Sequence, residues 1–284
     1  MYFSSLWLLL LVIPPLPGAG QSGIKITFES DVAGNSSSRT SYHQGDRMRV
    51  EYRNSFGGRL RGDVRYGPRL VRIVRCDLGQ SFELNLDTSE YTSAPYPPKA
   101  LTSEQIKARG LEGVGVSRAG SPTIRVEIKT TDTDERKEMF GRVARHVITT
   151  TTSTPLEGSQ SEAQESVADG WYIDFDQRLS CDPKPAQGQH GYMGGWVSVG
   201  HGKQPMEKPE FVRIGEAEMG FPLSVTTTSK RLPATADETV STFGTRVVEF
   251  TEGALDPALF EIPAGFRRVE RIERNPAMGL PIKP

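Results

Sequence analysis

Two carboxylates two residues apart, Asp174 and Asp176 in the run YIDFD, form the pair in this chain best spaced for chemistry. On a strand such residues share a face and stand about 7 Å apart. Paired carboxylates at that distance can hold a cation or act as acid and base on a glycosidic bond. Alternation, however, gives Tyr172 to the same face and Trp171, Ile173 and Phe175 to the other. The aromatic and aliphatic face is then the dry one, the aspartates face water, and a structural role outweighs a catalytic one. The histidines add little. His190 and His201 lie eleven residues apart in one Gly-rich stretch, without the short spacing of a metal site, and His146 sits in a strand-like run. Ser117 in GVSRAG lacks the glycine pattern and the strand-to-helix setting of a nucleophile elbow. The Arg61–Asp63 tripeptide RGD has no context that gives it meaning. No metal or cofactor is expected, and the chain reads as non-enzymatic. A hydrolase using Asp174 and Asp176 or the loop histidines is the alternative.

Arginines supply a second candidate. Arg47, Arg49, Arg53, Arg59, Arg61, Arg65, Arg69, Arg72 and Arg75 face only two carboxylates, Glu51 and Asp63, in the same stretch. The planar fork of Arg suits phosphate or carboxylate, so Arg47, Arg49 and Arg53 are candidates to bind an anionic group or to dock an envelope protein. The simpler reading pairs them across a sheet with acidic neighbours. Residues 157–182 hold such partners, among them Glu157, Glu162, Glu165, Asp169 and Asp182.

The elements that must position these groups are strands. Ile24, Ile26 and Phe28 alternate with Lys25, Thr27 and Glu29, and the same period-two pattern recurs at 47–54, 81–87 and 123–130. Such alternation predicts an antiparallel sheet with one dry and one wet face. Further extended runs at 70–76, 140–153, 170–176, 210–219, 221–230, 241–252 and 266–273 bring the expected total to about eleven strands. That is enough for a large curved sheet or half-open β-barrel with one or two short helices on its concave side. One helix is predicted over 102–110, with Thr102 as N-cap, Gln105 completing a capping box and Gly110 ending it. Residues 31–45 read as a hairpin tip, and a Gly/Pro-rich loop is expected at about 180–209. The dry faces need something to bury them. Leu84, Leu86, Trp171, Phe175 and Phe250 are the expected lining of an apolar hollow. Near the end, Asp256 is a predicted N-cap and Pro257 suits the first helical position, with Leu255 and Phe260 placed as a staple. Pro263 stops this turn. Leu259 and Phe260 are expected to be buried as a plug at the end of the barrel.

Compartment follows from the first residues. Leu6 to Ile13 form an eight-residue apolar run, too short to span a bilayer, followed by Pro14, Pro15, Gly18 and Gly20. The expectation is a signal peptide over 1–20, export to a periplasmic or extracellular space, and one domain over 21–284 without a membrane span. In such a space Cys76 and Cys181, the two cysteines of the chain, are either a disulfide or two buried thiols. A net charge of −1 argues against a nucleic-acid partner.

The succession RLVRIVRCDLGQSFELNLDTSEYTSAPYP, FGRVARHVITTT, GWYIDFD and VVEFTEGALDPALFEIPAGFRRV resembles secreted bacterial proteins of the LolA/LolB lipoprotein-carrier fold. The matching positions are Leu86, Asp87 and Tyr91, then Phe260, Ile262, Pro263, Gly265 and Phe266, within residues 24–273. The resemblance implies an open antiparallel barrel, helices plugging its concave side, and acyl chains in the cavity. A lipid or other apolar small molecule is therefore the expected ligand. Compared with such carriers this chain offers less helix and carries an extra loop after Cys181.

Overall fold

The computed structural model describes residues 22–32, 35–56, 65–99, 102, 104, 121–159, 161–183, 207–218, 220–232 and 240–272. The signal-like segment, nearly all of the predicted helix at 102–110, the core of the Gly/Pro-rich loop, Arg59, Arg61, Ser117, His190 and His201 lie outside them. The strands are β1 (Ser22–Val32), β2 (Asn35–Gln44), β3 (Arg47–Phe56), β4 (Arg65–Arg75), β5 (Gln80–Asn85), β6 (Glu90–Pro95) and β7 (Ile124–Met139). They continue as β8 (Arg142–Pro155), β9 (Ala163–Ile173), β10 (Pro209–Ile214), β11 (Phe221–Leu232), β12 (Ser241–Ala254) and β13 (Arg267–Arg268). Two 3-10 turns, Cys76–Leu78 and Pro257–Phe260, complete the elements among the described residues.

All thirteen strands form one sheet in the order β10-β7-β8-β9-β11-β12-β1-β2-β3-β4-β5-β6-β13. The ends of that order do not meet, so this is a curved open sheet and not a closed barrel. Pairing is antiparallel throughout except at the two edges, where β10 joins β7 and β13 joins β6 in parallel. Three expectations change. Residues 35–44 are a strand, not a hairpin tip. Their Ser-rich sequence has no apolar alternation, and β2 is held instead by ladders to β1 and β3 on both sides. The run 266–273 is strand only at Arg267 and Arg268. β9 ends at Ile173, so Asp174 and Asp176 leave the sheet and do not share a strand face.

Register shows where the cores sit. Thr27, Thr40, Glu51, Val71, Leu84 and Tyr91 are successive cross-strand partners from β1 to β6 and lie on one face. Ile26, Ser41, Val50, Arg72, Glu83 and Thr92 make the matching ladder on the other. Ile26, Phe28, Ala144, Ile173, Phe221, Leu223, Val247 and Phe250 form a core on the Ile26 face. Val71, Ile73 and Leu84, with Phe82, Leu86, Tyr91 and Phe266 against them, form a core on the opposite face. β4 is buried on both sides, with Leu70 and Val74 under one face and Val71 and Ile73 under the other, all at most 1% exposed. A strand with one dry and one wet face therefore does not describe β4.

Each face of this half of the sheet is covered by a strap. Residues 174–183 leave β9 and cross toward β4 and β6 on the Ile26 face. Phe175 packs against Phe221 and Phe250, Leu179 is buried, and Cys181 is disulfide-bonded to Cys76 with Cα atoms 5.6 Å apart. Tyr96 donates its hydroxyl proton to Asp182 at 2.6 Å and the Ser180 N–H donates to Asp46 at 3.4 Å. Residues 255–272 cover the opposite face. The Leu255 side chain fills the space above Gly23, where a Cβ would lie 2.5 Å from it. Asp256 caps the turn by accepting from the Ala258 N–H at 2.9 Å, with Pro257 in the first position.

Candidate apolar site at the hairpin tip

The β7–β8 hairpin turns through two residues, Phe140 and Gly141, with Met139 and Arg142 paired below them. Both turn residues have positive φ, 54° and 69°. This is the geometry for which Asn-Gly is the usual solution, because its hand matches strand twist. A phenylalanine in the first position costs about 1–2 kcal/mol of backbone strain. What holds it is contact: the Phe140 ring lies 6.4 Å from that of Phe250 on β12. Arg142, at the base of the turn, forms an ion pair with Glu252 two residues further along β12. Phe140 nevertheless remains 40% exposed, while Phe250 beneath it is 9% exposed.

From Phe140 a row of rings runs inward. Phe250 stands 5.3 Å from Phe175, Phe175 stands 5.3 Å from Phe221, and Phe221 stands 5.7 Å from Phe28. A guanidinium sits at each end. Arg142 lies 5.6 Å from the Phe175 ring and 5.3 Å from the Phe250 ring, and Arg39 lies 4.9 Å from Phe28. The row is apolar, contiguous and edged by cations, with its half-open end at the hairpin tip.

The structure splits the predicted lining of a single hollow into two groups. Trp171, Phe175 and Phe250 meet in the aromatic core; Leu84 and Leu86 meet in the core on the opposite face. Leu259 and Phe260 lie on β3 and β4 and not at the end of a barrel. Phe260 is 1% exposed, whereas Leu259 is half-buried, so the expected burial holds for the first side chain and only in part for the second, and neither plugs a barrel. Tyr172, assigned by alternation to the wet face, is buried with Val147 and Val225. Gly170 makes that possible, since a Cβ there would lie 2.7 Å from the Tyr172 ring. Burial pushes the Tyr172 hydroxyl pKa up to about 12.

The arginine cluster is engaged within the fold. Arg49 is 7% exposed; its Nε donates to Glu51 at 2.6 Å and an Nη donates to the Leu259 carbonyl at 2.9 Å. Arg75, also 7% exposed, donates Nε and Nη2 to Asp77, each at 2.8 Å, and Nη1 to Glu261 at 2.5 Å. These hydrogen bonds raise the Arg75 pKa, and the one from Arg75 lowers that of Asp77. Arg47 stands 3.4 Å from Asp77, and Arg53 donates to the Gly67 carbonyl at 2.9 Å. Of these forks, those of Arg49 and Arg75 are aimed at the second strap.

The aspartates are likewise engaged, and separately. Asp174 accepts from Arg145 at 2.6 Å, whereas Asp176 accepts from the Arg178 side chain and N–H at 2.6–2.9 Å. The bond from the Arg178 side chain, then that from its N–H, depresses the Asp176 pKa to about 2. Sequence patterning missed His146. Its Nδ1 is 2.9 Å from the Thr133 hydroxyl, its Nε2 is 2.8 Å from Asp169, and its ring stacks 4.9 Å from Trp171. Thr133 sits where β7 bulges between Asp132 and Arg136, and its hydroxyl also accepts from the Glu135 N–H at 3.4 Å. The row ties the bulge to β8 and β9. Only a bulge prediction would have brought Thr133 opposite His146. A separate open depression of about 690 Å³ beside β6 and β13 is lined by Thr92, Ser93 and residues 267–270, none of them a predicted apolar site residue. Among the described residues no three His, Cys, Asp or Glu side chains gather as metal ligands. No helix among them is long and apolar enough to cross a membrane.

Comparison with known proteins adds little. No family model matches the chain, and no curated protein matches it. A structure titled "Structure of PNGF-II in C2 space group" aligns with 12% sequence identity and a TM-score of 0.30, covering 88% of this chain and 31% of that one. The chain thus spans about a third of that protein's length, and the likeness is too low to carry an argument.

Proposed function

We propose that this chain is an exported, non-enzymatic binding protein that holds a lipid or other apolar ligand against the aromatic row, at the mouth covered by Phe140. The observation that carries this reading is Phe140 itself. A bulky residue kept in a backbone conformation it disfavours, with its ring half in water above buried rings, marks a place where function has been given priority over local stability. A ligand chain that takes the place of the ring keeps Phe250 dry. The Cys76–Cys181 bond supports an oxidising compartment, in agreement with the signal-like first residues. The resemblance to lipoprotein carriers points the same way.

A neutral apolar fluorophore such as a naphthylamine dye tests the site. The expected result is saturable binding, displaced by an acyl amphiphile. Phe140→Gly should bind more tightly, by about threefold to tenfold, because the competing ring is gone and the strain with it. Absence of dye binding, together with only unliganded mass for protein isolated from its source by native mass spectrometry, would count against the proposal.

A further inference from the structure

Arg142 differs from the arginines of the 47–75 cluster in what its fork is doing. Its guanidinium lies over the two rings, Phe175 and Phe250, at the mouth that Phe140 covers. Only Nη2 has a hydrogen-bond partner among the described residues, the Glu252 carboxylate. Glu252 is itself 46% exposed at its side chain, and the Arg142 side chain is 34% exposed. Nε and Nη1 are therefore left for a partner that approaches along the aromatic row. An exposed ion pair contributes little, about 0–1 kcal/mol, so exchanging Glu252 for another anion costs little. A planar anion gains two parallel N–H donors, with charge-assisted bonds about twice as strong as neutral ones.

Resting on the apolar-ligand reading above, we infer that the ligand is an anionic single-chain amphiphile. Its chain lies on Phe250 and Phe175, and its carboxylate or phosphate head is held by Arg142 in place of Glu252. The sequence pointed to an anion-binding role for Arg47, Arg49 and Arg53; the geometry moves that role to an arginine on a different hairpin. Apolar chain and charged head are read by adjacent groups, which makes the site selective for molecules with both.

Decanoate and decanol distinguish the two layers of the argument, measured by displacement of the neutral dye at about pH 8, where the carboxylate is ionised. Decanoate should bind about tenfold more tightly than decanol. Arg142→Gln should bring the two within about twofold, while Glu252→Gln, which frees the fork without removing it, should widen the gap. Decyl phosphate against decanoate then tells which head the fork prefers; either order supports the inference if Arg142→Gln abolishes it. Equal binding of decanoate and decanol by the unaltered protein, or a gap that survives Arg142→Gln, overturns the anionic head and leaves the apolar site standing. Failure of both amphiphiles and of the dye removes both.

Discussion

Two straps cross the same part of the sheet on opposite faces, and they are fastened by different chemistry. Residues 174–183 are held by a covalent bond, Cys76–Cys181. Residues 255–272 are held by guanidinium forks, with Arg49 on the Leu259 carbonyl and Arg75 on Glu261, and by the burial of Phe260. Both fasteners start from the same neighbourhood: Arg75 and Cys76 are adjacent, at the end of the strand buried on both faces. The covalent fastener acts mainly by restricting the unfolded chain. The arginine fastener acts only in the folded state, where it satisfies carbonyls that a one-turn 3-10 element leaves open.

That difference can be broken experimentally, beginning with the largest effect. Replacing Cys76 and Cys181 together by Ser should cost up to about 4–5 kcal/mol in urea unfolding, the chain-entropy figure for so long a loop, with little change in the folded spectrum. Phe260→Ala should cost about 3–4 kcal/mol, since the ring is fully buried, and should loosen only the second strap, as read by hydrogen exchange at Arg267 and Val269. Arg75→Ala should cost about 2 kcal/mol. Arg75→Lys should recover less than half of that, because an ammonium cannot reproduce the fork that spans Asp77 and Glu261.

Acid separates the straps with the smallest effect. His43, beneath the first strap near Asp182, has its pKa lowered from 6.5 to about 4, chiefly by burial. The unfolded chain therefore takes up that proton first. The His43 contribution is complete above pH 6.5 and is lost as pH falls through about 4. His43→Gln should flatten that slope, by on the order of 1–2 kcal/mol. Asp77, in the second fastener, has a pKa lowered from 3.8 by its bond from Arg75, so its contribution is lost only on further acidification below 3.8. Simultaneous loosening of both straps between pH 6.5 and 4 would contradict this ordering.

Much of the sheet could be read from residue order, because period-two alternation at 23–30, 47–54, 81–87 and 123–130 is a local consequence of one-sided burial. β2 was not legible, because its Ser-rich run is a strand only by virtue of its neighbours. Nor was the second buried face of β4, since Arg72 within LVRIV imitates alternation while straps from distant sequence cover both sides. The site was legible in part. Phe175 and Phe250 stood out as dry-face aromatics, but Phe140 was one letter in a presumed strand, and its positive φ is a property of the turn that pairing creates. The arginine cluster was visible in the sequence, and so were near partners such as Glu51. The carbonyls that Arg49 and Arg75 reach, 210 and 185 residues away in the chain, leave no local trace.

The first strap also sets a limit on shape. From β9, where it starts, to β4, which leads into Cys76, the sheet order counts six strand-to-strand steps, or about 29 Å if the sheet were flat. Ile173 and Cys181 are eight residue steps apart, about 26–29 Å when fully extended, and the disulfide adds 5.6 Å between Cα atoms. The strap is not fully extended, because the chain turns where the Asp182 N–H donates to the Leu179 carbonyl at 3.0 Å. With the disulfide included, the strap has little slack across β11, β12, β1, β2 and β3, and the Cys76–Cys181 bond fixes where its far end lands. Cutting that bond leaves the sheet folded and gives the strap slack, so the seating of Phe175 against Phe250 depends in part on a covalent link six residues further along.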